Sequence, residues 1–124
     1  MNNRVRNKLI HFCRVGRGSI SLPQLIYDAD LGLNLEISHE RSRLIDILND
    51  ISTKEHEQGR PLLSGMVKIK TKGGQGDQFY RMCENLGLGE WRELKGDADF
   101  IKEVRREARR FWRNEENYEK YFDL

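Results

Sequence analysis

The sequence has no long hydrophobic run and no repeated or low-complexity segment. Its 124 residues include no apolar stretch of about 18 residues, the length from which a membrane-spanning helix is built. The basic first twenty residues lack an h-region and a cleavage site, so we expect no secretory signal. We therefore expect a cytoplasmic protein that does not enter a membrane and that forms a single domain over residues 1–124.

Cysteine is scarce, and the two cysteines do not form a close pair. Cys13 and Cys83 each fall within an apolar pattern. We predict two buried, reduced thiols, as expected of a cytosolic protein. A disulfide between them is the alternative, although a chain of this length does not need one.

Histidine is also scarce, and its positions do not suggest a metal site. The segment Glu55–Glu57 places His56 between two carboxylates, which invites a metal-binding or acid–base interpretation. No second histidine follows at the fourth position, as a His-Glu-x-x-His site requires. We expect solvated charge at the end of a helix, with no metal, no cofactor and no catalytic group.

Positive charge is segregated along the chain, although the net charge is only +2. Residues 1–20 contain five bases and no acid, and residues 101–113 contain six bases and two acids. The segment 60–72 has four bases and no acid. These segments create a positive face if they share one side of the fold, and no such face if they point in different directions.

Hydrophobic periodicity predicts a mostly α protein of the α+β class. Ser21 and Gln24 form a capping-box pattern, while Ser38 and Asp77 are expected to cap later helices. The segment 87–98 is predicted to be a loop, and two helices are expected at the C-terminal end. The other predicted helices cover residues 3–15, 21–29, 38–59 and 77–87, and the last long helix has its apolar stripe within 100–111.

Between the third and fourth helices the period of the pattern changes to two. In "PLLSGMVKIKTK" lysines alternate with Val67 and Ile69, which predicts one half-exposed strand or a hairpin. A glycine-rich turn, "GGQG", follows and leads into the next helix. The exposed side of the strand is expected to carry Lys68, Lys70 and Lys72.

This order of elements resembles a winged helix-turn-helix domain. The resemblance makes the third helix a recognition helix in which Arg41 and Arg43 read base edges. The three strand lysines become wing contacts to phosphate, which add affinity without sequence information. The pattern departs from the family after Gly76, where a returning strand is required and the sequence becomes helical. The alternative is an α+β core with a solvated, lysine-bearing strand.

The last long helix carries arginine at four-residue spacing. Arg105, Arg109 and Arg113 line one face, and Trp112 is placed at the edge of the apolar stripe. Clustered arginine beside an aromatic ring is typical of phosphate recognition and base stacking. The alternative is that Glu103 and Glu107 pair within the helix and weaken the field.

The segments "EHEQGRPLLSGMV" and "GGQGDQFYRMCENLGLG" resemble a group of small bacterial proteins of unassigned function. That group shares a Gly-(Arg/Leu)-Pro-Leu-Leu-Ser-like strand, a Gly-x-Gly-Phe-like turn and an aromatic-led helix, and the likeness covers about residues 20–88. It implies a fold-defining core strand and no activity. A fainter likeness is to the winged-helix part of DNA alkyltransferase-like proteins, whose Pro-Cys-His-Arg motif is absent, so it implies no alkyl transfer.

Three hypotheses about function follow from these patterns. The first is a non-enzymatic module that binds nucleic acid, duplex DNA in particular. The second is a protein-interaction subunit of a bacterial assembly, anchored by Trp91 or Trp112. The third is a small phosphate-handling enzyme built around Gly73–Asp77, Arg60 and Glu55. The contacts that the first hypothesis predicts are Arg41, Arg43, Arg60, Lys68, Lys70, Lys72, Arg105, Arg109 and Arg113.

Overall fold

The computed structural model describes residues 1–69 and 75–123, and most of these residues are helical. The predicted mostly α, α+β fold is confirmed. No helix in the described ranges is long and apolar enough to cross a membrane. The elements are α1 (Asn3–Val15), β1 (Ile20–Ser21), α2 (Leu22–Asp28), α3 (Ser38–Glu57), a 3-10 turn (Leu63–Met66), β2 (Val67–Lys68), α4 (Asp77–Asn85), α5 (Trp91–Gly96), α6 (Ala98–Arg113) and α7 (Glu115–Tyr121).

The first two helices follow the local signals in the sequence. The α1 helix covers the predicted range, and the Asn2 side chain caps it by accepting the N–H of Val5. The α2 helix begins after Ser21, whose hydroxyl accepts the N–H of Gln24 at 3.2 Å. Side-chain oxygens at these positions satisfy N–H groups that have no partner inside the helix.

Two later helix starts differ from the prediction. Ser38 is the first residue of α3 rather than its cap, and the N-cap residue Ile37 makes no side-chain capping bond. Likewise Gly76 is the N-cap of α4, so Asp77 lies inside the helix. The predicted stop at Gly59 agrees with the structure, because this residue adopts a φ of +74° that favours glycine just after a helix.

The segment predicted to be a loop contains α5, and α7 follows α6 directly. Glu90 caps α5 by accepting the N–H of Glu93, and Asn114 caps α7 by accepting the N–H of Asn117. The α6 and α7 helices correspond to the two C-terminal helices that were expected. The short α5 was missed because its six residues bury no side chain completely and so show little periodicity.

The sheet is a minimal parallel pair instead of a hairpin. Ile20 lies opposite Val67, and Ser21 lies opposite Lys68. The predicted strand is shorter because a 3-10 turn occupies Leu63–Met66, where every residue is buried. Met66 and Val67 are both buried, so the alternation in the sequence does not correspond to one exposed and one buried side. Lys70 and Lys72 lie outside the described residues.

The interior contains two apolar clusters. The larger one joins α1, α2, α3, the 3-10 turn and α6, and its largest fully buried side chain is Trp112. The smaller cluster packs α4 against α6 and contains Phe79, Cys83 and Val104. Trp112 is 0 % exposed, so it is a core residue and not, as the sequence indicated, the edge of an apolar stripe.

A buried charge triad connects the beginning, the middle and the end of the chain. The Glu55 carboxylate is 0 % exposed and accepts hydrogen bonds from Arg6 Nε at 2.6 Å and from Arg60 Nε at 2.5 Å. Arg6 also donates to the carbonyl oxygens of Phe122 at 2.5 Å and of Tyr121 at 2.8 Å. The triad therefore holds the end of α7 against α1 and α3.

Replacement of Glu55 by glutamine should destabilise the protein strongly. The variant removes the only carboxylate of the triad and leaves two buried guanidinium groups, a change that costs about 3–5 kcal/mol of unfolding free energy. Urea titration followed by circular dichroism measures this loss. Glu57→Gln, an exposed position in the same helix turn, serves as the control and should change stability by no more than about 0.5 kcal/mol. Equal stabilities of the two variants would contradict the importance of the triad.

Candidate nucleic-acid interface

The α6 helix presents a row of arginines on a face separate from its core face. Residues four apart lie on the same side of a helix, about 6 Å apart along its axis. Val104, Ala108 and Trp112 occupy the core face. We call the row on the other face the arginine seam, and it consists of Arg105, Arg109 and Arg113.

The first two arginines of the seam bind backbone carbonyl groups of neighbouring segments. Arg105 donates from Nε to the carbonyl oxygen of Gly65 in the 3-10 turn at 2.7 Å. Arg109 donates from Nη2 to the carbonyl oxygen of Gly18, in the loop between α1 and β1. The seam therefore lies across the joint between α6, the 3-10 turn and the loop after α1.

Arg113 and Arg14 connect the C-terminal ends of α1 and α6 reciprocally. Arg113 donates from Nε to the carbonyl oxygen of Cys13 at 2.9 Å and from Nη2 to that of Gly16 at 3.2 Å. Arg14 donates in the opposite direction, to the carbonyl oxygen of Trp112 at 2.8 Å. The last carbonyl groups of a helix have no partner within it and carry its partial negative charge, so cations bind favourably there.

Carboxylates do not neutralise the outer part of the seam. Arg109 and Arg113 form no ion pair with any carboxylate in residues 1–69 and 75–123. Glu103 does pair within the helix, as the alternative interpretation predicted, but its partner is Arg106, which is not part of the seam. Glu107 lies on another side of α6, where it lines a groove.

The positive charges of the seam arginines shift the pKa values of neighbouring side chains. Burial lowers the pKa of Arg105, and the positive charge of Arg109 lowers it further. Burial raises the pKa of Cys13 to about 12, while the charges of Arg109 and Arg113 act in the opposite direction. Both effects are consistent with the closeness of the Arg105, Arg109 and Cys13 side chains.

Two further cations belong to the segments whose carbonyl groups the seam binds. Arg17 is exposed and stands in sequence between Gly16 and Gly18, the acceptors of two seam arginines. Lys68 is half-buried in β2, three residues after Gly65. Neither of these cations forms an ion pair within the described part of the chain. Arg17 was not predicted as a contact, although the glycines on both sides of it in "GRGS" are a signal of an exposed loop.

The other predicted contacts are distributed differently. Arg60 is 8 % exposed and binds Glu55 in the interior, so it lies outside the seam. Arg41 is exposed at the start of α3, beside a depression of about 150 Å³ that Ile69 and Gln75 also line. Arg43 is exposed, and no described contact brings it to the seam. Lys70 and Lys72 fall outside the residues that the structure describes.

Gln75 connects the depression beside Arg41 to the seam. Its Nε2 donates to the carbonyl oxygen of Gly65 at 3.2 Å, and this is the same oxygen that binds Arg105. Gln75 therefore lies between the depression beside Arg41 and the carbonyl group that Arg105 binds. The seam itself remains the place where the charges concentrate.

The residues assigned to the two other hypotheses have different environments. Glu55 and Arg60 bind each other inside the protein, and the exposed Asp77 pairs with Lys95 at 2.5 Å. Gly73 and Gly74 lie outside the described residues. Trp112 is too buried to anchor a partner.

Trp91 is the remaining aromatic candidate for a protein contact. It is half-buried, and the guanidinium groups of Arg81 and Arg92 lie 4.3 and 4.4 Å from the centre of its ring.

Among residues 1–69 and 75–123, no three potential metal ligands lie close enough together to hold a metal ion.

Comparison with known protein families, with curated proteins and with solved structures found no match.

Replacement of Arg113 by alanine should lower stability more than replacement of a nearby arginine. The variant loses two hydrogen bonds and leaves the partly buried carbonyl group of Cys13 without a partner, at a cost of about 1–3 kcal/mol. Chemical denaturation measures the difference. Arg110→Ala removes an exposed arginine of the same helix and should cost no more than about 0.5 kcal/mol. An equal loss in both variants would show that the carbonyl contacts do not stabilise the fold.

Both thiols should be unreactive in the folded protein. Burial raises the pKa of Cys13 and of Cys83 from 9.0 to about 12, and only the thiolate is a good nucleophile. Because the folded pKa values exceed the ordinary one, raising the pH to 9 should leave both groups protonated. Iodoacetamide labelling followed by mass spectrometry should detect no adduct at pH 9 unless urea is present. Rapid labelling without urea would contradict the burial of the thiols.

Proposed function

We propose that this protein is a non-enzymatic nucleic-acid-binding module that holds a phosphate backbone along the arginine seam. The observation that supports the proposal is a row of arginines along one face of α6 whose outer members have no carboxylate partner in the described residues. Guanidinium groups without a carboxylate partner, such as those of Arg109 and Arg113, attract anions, and the length of the row determines which anions fit.

The spacing of the row favours a linear polyanion over a small anion. Neighbouring arginines are about 6 Å apart along α6, and each strand of a duplex carries a charge about every 3.4 Å along its axis. A polymer lying along α6 contacts the whole row at once. A single phosphate ion reaches one or two of the guanidinium groups.

Internal hydrogen bonds orient the seam before a ligand arrives. Arg113 uses Nε and Nη2 for carbonyl groups, which leaves Nη1 without a partner in the described residues. Arg109 donates from Nη2 to a carbonyl oxygen, and its Nε and Nη1 have no partner in the described residues. A guanidinium group fixed in this way loses less rotational freedom when it binds a phosphate, so less of the binding energy is lost to ordering.

The contacts of the seam should be independent of base sequence. Arginine–phosphate contacts set the position of a protein on nucleic acid, whereas sequence is read at base edges in the grooves. The winged-helix hypothesis adds a second docking geometry, in which α3 enters the major groove of duplex DNA with Arg41 and Arg43 at its leading turns. The observed contacts favour the seam, because neither of these arginines is fixed by a hydrogen bond to a described residue.

The salt dependence of binding tests this proposal. A mixed-sequence duplex DNA is titrated at several salt concentrations, and fluorescence anisotropy measures the affinity. The logarithm of the binding constant should fall with the logarithm of the salt concentration by about 0.9 per phosphate contact. Arg109→Gln, Arg17→Ala and Lys68→Ala should each make this slope shallower by about one contact.

The matched control is Lys8→Ala, an exposed lysine of α1 that lines a separate depression beside Tyr27. It should leave the slope unchanged. If Arg109→Gln and Lys8→Ala change the slope of the salt dependence equally, the seam is excluded as the interface. A loss of slope only in an Arg41→Gln/Arg43→Gln variant would support the winged-helix geometry in its place. Circular dichroism establishes that each variant is folded.

A further inference from the structure

A groove of about 720 Å³ runs along the side of α6 that faces away from the arginine seam. Its opposite wall is the segment that leaves α3, from His56 to Leu62. Apolar side chains from both walls line its middle. Ligand-binding clefts in proteins usually have volumes of about 300–1,000 Å³ and a mainly apolar lining with a few polar groups. The apolar residues include Pro61, Leu62, Phe100, Val104 and Phe111.

One nearly buried cation forms part of the groove wall. The Arg60 side chain is 7 % exposed, and it uses Nε and Nη2 to bind the two oxygens of Glu55. Its Nη1 has no hydrogen-bond partner among the described residues, although the residue lines the groove. This nitrogen keeps some accessible surface, so an acceptor on a ligand in the groove can reach it and form a charge-assisted hydrogen bond.

The charge balance of the triad also favours an anion at this position. Arg6 and Arg60 share the single carboxylate of Glu55, which leaves one positive charge in excess. All three nitrogens of Arg6 have partners, because Nη1 and Nη2 bind the carbonyl oxygens of Phe122 and Tyr121. The uncompensated donor of the triad is therefore Arg60, at the groove wall.

Other residues of the groove limit the charge of the anion. Glu103, Glu107 and Arg110 line the groove from α6, and Glu103 is paired with Arg106. The Glu107 carboxylate repels a ligand with two negative charges more strongly than a ligand with one. Arg60 offers a single free nitrogen, which suits one carboxylate oxygen. Beside it, Asn117 is fixed because its side chain donates to the carbonyl oxygen of Phe111 at 3.1 Å.

We propose that the groove binds a small apolar carboxylate. One carboxylate oxygen accepts a hydrogen bond from Arg60 Nη1, and the aliphatic or aromatic body of the ligand lies on Leu62 and Val104. The two sources of this chemistry are a free organic acid and the C-terminal carboxylate of a peptide. This proposal is independent of nucleic-acid binding, since the groove and the seam lie on different sides of α6.

Titration of the full-length protein with matched probes tests the proposal. Octanoate and phenylbutyrate are compared with their neutral amides, and an acetylated Leu-Phe dipeptide is compared with its C-terminal amide. NMR shifts of the Leu62 and Val104 methyl groups and of the Arg60 Nε–H report occupation of the groove. Carboxylates should bind about tenfold more tightly than amides, because a charge-assisted hydrogen bond is lost with the charge. Tighter binding of the free-acid dipeptide than of the organic acids would identify a peptide terminus as the source.

Variants at residues outside the triad test the proposal without removing the buried ion pairs that stabilise the fold. Glu107→Gln removes a repulsive carboxylate and should strengthen carboxylate binding severalfold, while Arg109→Gln on the seam should leave it unchanged. Equal binding of acids and amides would overturn the proposal. Shifts confined to the seam residues would overturn it as well, as would the absence of any shift at millimolar probe concentrations. Because Arg109→Gln affects only the seam, failure of this proposal is distinguishable from failure of nucleic-acid binding.

Discussion

Hydrogen bonds from arginine side chains to backbone carbonyl groups hold the helices of this protein together. They connect α1 with α6 and α7 at several points, and they occur where apolar contact alone leaves helix ends unsatisfied. Arginine is suited to this role because it remains charged and has five N–H donors. At a surface position such as Arg109 or Arg113, a guanidinium group that binds a carbonyl oxygen through one nitrogen keeps other N–H groups without a partner in the described residues. The arginines with this type of contact include Arg6, Arg14, Arg105, Arg109 and Arg113.

Short-range signals in the sequence were enough to predict most of the helices. The caps of α1 and α2 involve residues three apart, so the information they need is present locally. The strand was predicted too long because α3 and α6 pack over the 3-10 turn and bury it, which is a long-range effect. Trp112 was misplaced for a similar reason. Its burial depends on α1 packing against α6, which helical periodicity does not reveal.

The candidate interface was only partly predictable. Four-residue spacing correctly indicated that Arg105, Arg109 and Arg113 share one face, because helix geometry fixes that relation. Their acceptors are backbone atoms, which residue identity does not reveal. Arg60 belonged to a basic segment in the sequence, yet its partner is Glu55, five residues earlier, in the interior. Positive segments of a chain can therefore have different functions, one as a surface charge and another as a structural ion pair.

The most direct test of the dual role of the seam is NMR observation of arginine Nε–H groups. Arg105 and Arg113 should give slowly exchanging signals in the free protein, because their Nε–H groups are bound to carbonyl oxygens. Addition of duplex DNA should shift the signals of Arg109 and Arg113 while those of the buried Arg6 and Arg60 stay in place. Unchanged seam signals, together with shifts confined to α3 or α4, would contradict this account.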